Sequence, residues 1–96
     1  MPDKPETQLA DCREHIDDVD RRLVALLNER TAIVEKIGNI KKSAQMGVYE
    51  PKREDAVYAN IAAANRGPLP EDALRRIFER IIDEMRKVQR DRMVVK

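Results

Sequence analysis

The chain has 96 residues, of which 42% are apolar, and its 19 basic and 18 acidic residues leave a formal net charge of +1. This length allows one domain, residues 1–96, and the balanced charge lacks the one-sided basic footprint of a nucleic-acid-binding protein. No apolar run approaches the ~20 residues of a membrane span and the N terminus is polar, so we expect no membrane association. A single cysteine cannot form an internal disulfide, which favours a cytoplasmic protein.

The first predicted element is a long amphipathic helix over about residues 7–45, preceded by a flexible polar tail over residues 1–6. Gly47 is its predicted C-terminal cap. At about 1.5 Å per residue the helix is about 57 Å long, whereas a compact chain of this size is only ~30 Å across. Its apolar face therefore needs a second chain, and an intertwined homodimer is the simplest arrangement. The residues of this face recur in steps of three and four: Leu9, Cys12, Ile16, Val19, Leu23, Leu26, Leu27, Ile33, Val34, Ile37 and Ile40.

Two shorter helices follow. Pro51 suits the first position of a helix over about residues 51–66, which Gly67 ends. Pro70 and the acidic residues after it open a third helix over about residues 70–92. Because aromatic residues make up only 3% of the chain, the core must consist mainly of aliphatic side chains and methionine, which favours helices over a sheet. The predicted fold class is therefore all-α.

Polar side chains interrupt the apolar faces at four positions, which are Arg13, Arg30 and Lys41 on the first helix and Gln89 on the third. A buried unpaired cation is very unfavourable, so cations placed there need an anionic partner. One interpretation is structural: each cation extends to the edge of the face or pairs with a carboxylate of another helix. The combined pattern favours the other interpretation, an internal anion-binding site between helices that is lined by apolar residues.

The spacing of the cations predicts how they share such a site. Arg30 and Lys41 are 11 residues apart and lie on one face about 16 Å apart, so their long side chains can converge on a small dianion. Arg13 precedes Arg30 by 17 residues, about 25 Å along the helix, and does not easily reach the same ligand within one chain. In an antiparallel pairing of two first helices, Arg13 reaches the site of the partner chain.

The sequence resembles the AroQ, all-helical class of chorismate mutase from about Leu9 to Gln89. The resemblance rests on the segments LADCREHIDDVDRRLVALLNER, EKIGNIKK, YEPKRE and RGPLPEDALRRIFERIIDEMRKVQ, in this order and at these spacings. It implies three helices per chain in an intertwined homodimer with two shared active sites. It also implies conversion of chorismate to prephenate, toward phenylalanine and tyrosine, by an intramolecular Claisen rearrangement. That reaction requires no nucleophile, metal or general base, and we expect no cofactor.

The resemblance also implies roles for the residues on the apolar faces. Arg13 from the partner chain and Arg30 match the arginines that bind the carboxylates of the substrate, since the planar guanidinium can hold a carboxylate through two hydrogen bonds. Lys41 matches a lysine that contacts both a carboxylate and the ether oxygen, and Gln89 matches the second donor to that oxygen. An enzyme of this class holds a flexible dicarboxylate in its reactive conformer and stabilises the charge that develops on the ether oxygen.

The start of the second helix supplies the remaining implied contacts. Glu54 matches the carboxylate that accepts a hydrogen bond from the substrate hydroxyl, and Arg53 beside it supports the carboxylate-binding end. Glu50 stands where relatives often have an aspartate near that hydroxyl. Met85 of the third helix stands where some relatives have a serine that helps bind the ring carboxylate, and a methionine cannot make that hydrogen bond.

Two other functions fit the same residues. An isochorismate pyruvate-lyase of the same fold would share the cationic residues, although Glu54 favours the mutase. A non-catalytic helical interaction module would use the charges on the apolar faces to set register or partner choice. The resemblance also leaves open a regulatory complex with another enzyme of the shikimate pathway, because some small mutases work in such complexes.

Overall fold

Three helices account for most of the computed structural model, which describes residues 4–94. They are α1 (Pro5–Ala44), α2 (Pro51–Ala64) and α3 (Glu71–Met93), and the described part of the chain contains no strand. The prediction of an all-α chain with one long and two shorter helices is confirmed. Between residues 4 and 94, no helix combines the length and the apolar character needed to cross a membrane.

The long helix begins earlier than the sequence predicts. Of the predicted tail over residues 1–6, residues 1–3 lie outside the described residues, and α1 starts at Pro5. Proline suits a first helical position because the amide hydrogen that it lacks would have no partner inside the helix. Glu6 follows in the first turn, where its negative charge faces the positive end of the helix dipole.

The C terminus of α1 is a turn that does not involve the predicted glycine. Gln45 adopts a left-handed backbone conformation with a φ of 57°. Its amide donates to the carbonyl of Lys42 at 3.2 Å, and the amide of Met46 donates to the carbonyl of Lys41 at 2.8 Å. These two bonds form a Schellman motif, which satisfies carbonyl groups at the end of a helix. The predicted cap at Gly47 is therefore wrong, because the hydrogen bonds place the left-handed position at Gln45.

The connection between α2 and α3 is organised by Asn65. The second helix ends at Ala64, not at residue 66, because Asn65 leaves the helical conformation with φ −74° and ψ 115°. Its side chain accepts a hydrogen bond from the amide of Gly67 and donates one to the carbonyl of Leu69, each at 2.9 Å. Gly67 then takes a φ of 69°, a conformation that favours glycine. The third helix starts at Glu71, just after its predicted first residue.

The chain divides into two compact units between Ala32 and Ile33. The first unit is the N-terminal part of α1. The second unit contains the C-terminal part of α1 together with α2 and α3. Val34 and Ile82, the apolar residues that are buried in the described chain, both belong to the second unit. The buried polar residues Lys41 and Gln89 belong to it as well. The candidate site is therefore built in the second unit.

Gly38 allows α3 to pack closely against the last turns of α1. A Cβ atom at this position would stand 3.2 Å from the carbonyl oxygen of Gln89 and 3.3 Å from its Cγ, which is tighter than ordinary van der Waals contact. Because glycine has no side chain, the two helices can approach each other here. An ion pair between Glu35 and Arg92 links the same two helices. This close approach brings Gln89 to Lys41.

Candidate active site

Lys41, in the last turn of α1, is buried among oxygen atoms, and only 5% of the residue is exposed. Its Nζ donates to Oε1 of Gln89 at 3.0 Å and to the carbonyl of Val48 at 3.2 Å, and it lies 3.4 Å from Oε1 of Glu50. An ammonium group has three N–H donors, so these three oxygens can satisfy all of them. The contacts offset the cost of removing the positive charge from water.

Gln89, on α3, carries an amide group whose orientation follows from its neighbour. Lysine can only donate, so the atom of Gln89 that lies 3.0 Å from Nζ of Lys41 is the amide oxygen. The Nε2 group of Gln89 is then left to donate to another acceptor. Because both residues are buried, a ligand oxygen that reaches them meets one charged donor and one neutral donor in a site with little water.

Glu50 faces Lys41 and does not cap α2. It occupies the cap position, but its side chain makes no capping hydrogen bond. Its side chain is 41% exposed and forms the 3.4 Å ion pair with Lys41. This is the longest of the three contacts of Lys41, and Glu50 is exposed enough to turn toward solvent. An incoming anionic group can therefore replace Glu50 more easily than it can replace the carbonyl of Val48.

Glu54, one turn into α2, is held by Arg86 of α3. Nε of Arg86 donates to Oε2 of Glu54 at 3.0 Å, and Nη2 donates to Oε1 of the same carboxylate. On the other side, Nη1 of Arg86 donates to Oδ1 of Asp83 at 2.9 Å. The hydrogen bond with Glu54, helped by the nearby negative charges, raises the pKa of Arg86 against the opposing effect of desolvation. Arg86 therefore stays positively charged at any ordinary pH.

Arg86 was not among the site residues predicted from the sequence, although the sequence carries a signal for it. It follows Ile82 by four residues and precedes Gln89 by three, and residues at these spacings share one face of a helix. An arginine on a face that also carries a buried isoleucine is the same kind of signal as the cations of α1. The carbonyl of Val48 has no such signal, because the course of the loop decides where a main-chain acceptor lies.

The structure brings together three of the predicted site residues, Lys41, Glu50 and Gln89, and places Glu54 one turn after Glu50. Arg53, which was predicted to support the carboxylate-binding end, is exposed on α2. The assembled groups are a buried cation, a buried amide and two carboxylates at the start of one helix. This set can offer donors to an anionic oxygen and acceptors to a hydroxyl group.

The remaining predicted residues are Met85, Arg13 and Arg30. Met85 is half-buried on α3, and its thioether has no hydrogen-bond donor to offer to the ring carboxylate of a substrate. Arg13 is exposed and Arg30 is half-buried, and both belong to the first unit. The role of these two arginines in an active site shared between two chains stays a prediction.

The fold and the buried contact between ammonium and amide define an all-helical protein with a candidate site for an anionic oxygen. A model of the family "Chorismate mutase type II" matches residues 12–90. The chain therefore belongs to the chorismate mutase type II family, and the family resemblance predicted from the sequence is confirmed.

Individual relatives agree with this assignment. A solved structure of chorismate mutase (form II) from Thermus thermophilus superposes with a TM-score of 0.84 at 30% identity, covering 86% of this chain and 94% of that one. Chorismate mutase of Methanocaldococcus jannaschii is 25% identical over 86% of this chain and 85% of its own length. The bifunctional chorismate mutase/prephenate dehydratase of Neisseria gonorrhoeae is 38% identical over 78 residues, which cover 81% of this chain. The chain spans only 21% of that bifunctional relative.

Proposed function

We propose that the chain catalyses the rearrangement of chorismate to prephenate. The observation that carries this proposal is the buried contact between Lys41 and Gln89 in a chain of the chorismate mutase type II family. The reaction is intramolecular: the ether bond breaks as a carbon–carbon bond forms, and negative charge develops on the ether oxygen. The protein therefore has to hold the reactive conformer and stabilise that charge, and it does not have to transfer a proton or an electron.

Lys41 and Gln89 are the proposed donors to the ether oxygen. Lys41 is oriented by Val48 and Glu50, and Gln89 is oriented by Lys41. Donors that are oriented before the substrate binds need little rearrangement as charge develops, which is the condition under which electrostatic stabilisation is largest. When the substrate binds, one of its oxygens takes the place beside Lys41 that the carboxylate of Glu50 occupies in its absence.

The proposed contacts to the rest of the substrate come from arginines and glutamates. Arg30 and Arg53 of one chain, together with Arg13 of the partner subunit, bind the two carboxylates. Glu54 accepts the hydrogen bond of the substrate hydroxyl, and Glu50 lies nearby. The position of the arginines in this proposal rests on their spacing and on the family, whereas that of Glu54 is also supported by its half-buried place on α2.

We also propose that the chain acts as a homodimer with two shared active sites. Large apolar side chains along the first unit are exposed in the single chain, with Leu9 at 51%, Ile16 at 56%, Leu23 at 50% and Leu26 at 61%. A helix in water gains most of its stability from packing its apolar face, and a contiguous exposed apolar surface is typical of an interaction site. Antiparallel pairing of two copies of α1 would cover this surface.

The wider setting is part of the same proposal. Residues 1–96 form one chorismate mutase domain in the cytoplasm, where a lone cysteine stays reduced. The relative from Neisseria gonorrhoeae is a bifunctional chorismate mutase/prephenate dehydratase. This fusion supports the proposal that the chain associates with another enzyme of the same pathway.

The proposal is tested by incubating the purified chain with chorismate and, separately, with isochorismate, and by identifying the products. We expect prephenate from chorismate. Salicylate and pyruvate formed from isochorismate alone would assign the chain as a lyase instead. No turnover of either compound, together with no thermal stabilisation by chorismate-like dicarboxylates, would favour a non-catalytic interaction module.

Two adjacent lysines provide a matched pair of variants. Removal of one oriented donor typically lowers the rate by about 10²–10³-fold, so Lys41→Ala should lower kcat/KM by at least about a hundredfold. Lys42 follows directly on α1 but is exposed, and Lys42→Ala should keep the rate of the wild type. Equal rates for both variants would remove Lys41 from the proposed mechanism.

A further inference from the structure

The ion pair between Arg86 and Glu54 differs from the exposed ion pairs of the same helices. Arg80 and Glu84, for example, lie four residues apart on α3, and the side chain of Arg80 is 75% exposed. Arg86 and Glu54 belong to different helices, are 32 residues apart in the sequence, and have side chains that are only 31% and 20% exposed. Exposed pairs within one helix contribute little to stability, whereas this pair connects α3 to the start of α2.

The pair lies next to the proposed site. Glu54 follows Glu50 by four residues on α2, and Arg86 precedes Gln89 by three residues on α3. Residues at these spacings are neighbours on one helix face. The ion pair therefore forms a layer between the two helices, one turn away from the contacts of Lys41.

We propose that Arg86 is a positioning residue that holds the carboxylate of Glu54 in the orientation in which it accepts the substrate hydroxyl. This inference rests on the proposed function. A glutamate side chain has several rotatable bonds, and ordering it costs conformational entropy. Without Arg86, this entropy would be lost when the substrate binds, which would weaken binding. The planar guanidinium of Arg86 contacts both carboxylate oxygens of Glu54, which restricts rotation as well as position.

The surroundings of Arg86 fit this role. Its third nitrogen is held by Asp83 at 2.9 Å, and its guanidinium carbon lies 6.0 Å from the centroid of the Tyr49 ring. Asp83 and Tyr49 thus orient the guanidinium of Arg86 in addition to Glu54. Each carboxylate oxygen has two lone-pair directions, so Glu54 keeps acceptor capacity for a hydroxyl while both of its oxygens are bound by Arg86.

The test is a double-mutant cycle with Arg86→Met and Glu54→Gln in the otherwise unchanged chain. The measured quantities are kcat and KM for chorismate and the urea unfolding curve of each variant, so that rates refer to folded protein. Misplacement of a substrate-orienting group by about 1 Å can cost ~10²-fold, and we expect Arg86→Met to lower kcat/KM by about tenfold or more. Because Arg86 acts through Glu54, adding Arg86→Met to Glu54→Gln should cause almost no further loss.

Four comparisons decide the outcome. Additive losses of kcat/KM in the double variant would mean that Arg86 contacts the substrate itself or acts elsewhere. A loss of stability with unchanged kcat/KM in Arg86→Met would mean that Arg86 only stabilises the packing of the helices. Either result overturns the inference. Arg86→Lys keeps the charge but not the two parallel donors, so it should restore little of the rate, and full restoration would also overturn the inference. Arg80→Met, at an exposed arginine of the same helix, should behave as the wild type.

The outcome for the wild type separates this inference from the proposed function. A wild type that converts no chorismate would overturn the proposed function, and the inference would fall with it. An active wild type with additive losses in the cycle would overturn the role of Arg86 alone.

Discussion

The side chain of Gln89 carries both an acceptor and donors. Its Oε1 accepts a hydrogen bond from Nζ of Lys41 at 3.0 Å, and its Nε2 hydrogens remain to donate to a ligand. A primary amide keeps its N–H donors over the whole range in which proteins are normally assayed. This residue is therefore well suited to a reaction in which charge develops on an oxygen, since its contribution does not depend on a proton that pH can remove.

The consequence of this chemistry is a prediction about pH. Turnover by the wild type should change little between about pH 6 and about pH 8, because the amide of Gln89 donates its hydrogen bond without gaining or losing a proton. In Gln89→Glu the new carboxyl group can donate only while it is protonated, and above its pKa it is an anion that accepts from Lys41. The activity of this variant should therefore fall as pH rises and recover toward acid pH.

The measurement is kcat/KM against pH for both proteins in buffers of constant ionic strength. A steep acid optimum in the wild type, or a flat profile in Gln89→Glu, would show that residue 89 is not a donor in the rate-determining step. The two side chains have nearly the same size, so a difference in the profile reports on the proton and not on packing.

The residue scale also shows where sequence reasoning stops. Lys41 and Gln89 could be recognised from the sequence because each is a polar residue at an apolar position of a helix. Their contact with each other could not, since it depends on how closely α3 approaches α1. Glu54 was assigned a role from the family, but its ion pair with Arg86 joins residues from two helices, and periodicity on one helix carries no information about partners on another.

At the scale of helices, Gly38 controls the distance between the end of α1 and α3. A Cβ atom there would meet the carbonyl oxygen and Cγ of Gln89 at 3.2 and 3.3 Å. Glycine is also less favourable than alanine inside a helix by about 1 kcal/mol. A substitution by alanine therefore has two opposing effects on stability, a gain in helix propensity and a tighter contact with Gln89. Its effect on the site is to displace Gln89.

We expect Gly38→Ala to lower kcat/KM by about tenfold or more, since small displacements of an oriented donor have large effects on rate. The free energy of unfolding in urea should change by less than about 1 kcal/mol, because the gain in helix propensity opposes the tighter contact. Gly47→Ala is the matched control: no atom lies within 4 Å of a Cβ atom built there, and its rate should equal that of the wild type. Wild-type turnover in Gly38→Ala would mean that the helices separate without moving Gln89 from Lys41.

The existence of the helices was more predictable than their ends. Apolar periodicity and the prolines at positions 51 and 70 located all three helices, and their observed bounds lie within about two residues of the expected ones, a usual error for helix ends. The turn at Gln45 and the side-chain contacts of Asn65 could not be predicted in the same way. Both depend on hydrogen bonds to particular carbonyl and amide groups, and a glutamine in a left-handed conformation has no strong sequence signal.

At the scale of the whole molecule, the predicted length of α1 already indicated that one chain cannot cover the whole apolar face of this helix. The structure gives this argument a second basis, because the buried apolar residues between residues 4 and 94 are only Val34 and Ile82, and both belong to the second unit. Most of the large apolar side chains along α1 are exposed in the single chain, and an exposed apolar surface of this kind is typical of an interaction site. The proposed homodimer covers this surface, and it makes the origin of Arg13 a testable question.

Subunit exchange tests whether Arg13 acts in the site of the other chain. Arg13→Ala and Lys41→Ala should each be nearly inactive as homodimers. If Lys41 of one chain works with Arg13 of the other, a mixed dimer has one site with both residues intact and one site that lacks both. With random mixing about half of the dimers are mixed, so refolding the two variants together from urea in equal amounts should recover about a quarter of the wild-type activity.

The matched control is the mixture of Lys41→Ala with Gln89→Ala, two residues that lie 3.0 Å apart in one chain. Every site of every dimer in this mixture keeps one of the two defects, so the mixture should stay as inactive as its components. Recovery in both mixtures would show that exchange restores activity without regard to the geometry. Recovery in neither, with mixed dimers demonstrated by two different affinity tags, would place Arg13 and Lys41 in the same chain's site and would require a different path for α1 than the antiparallel pair.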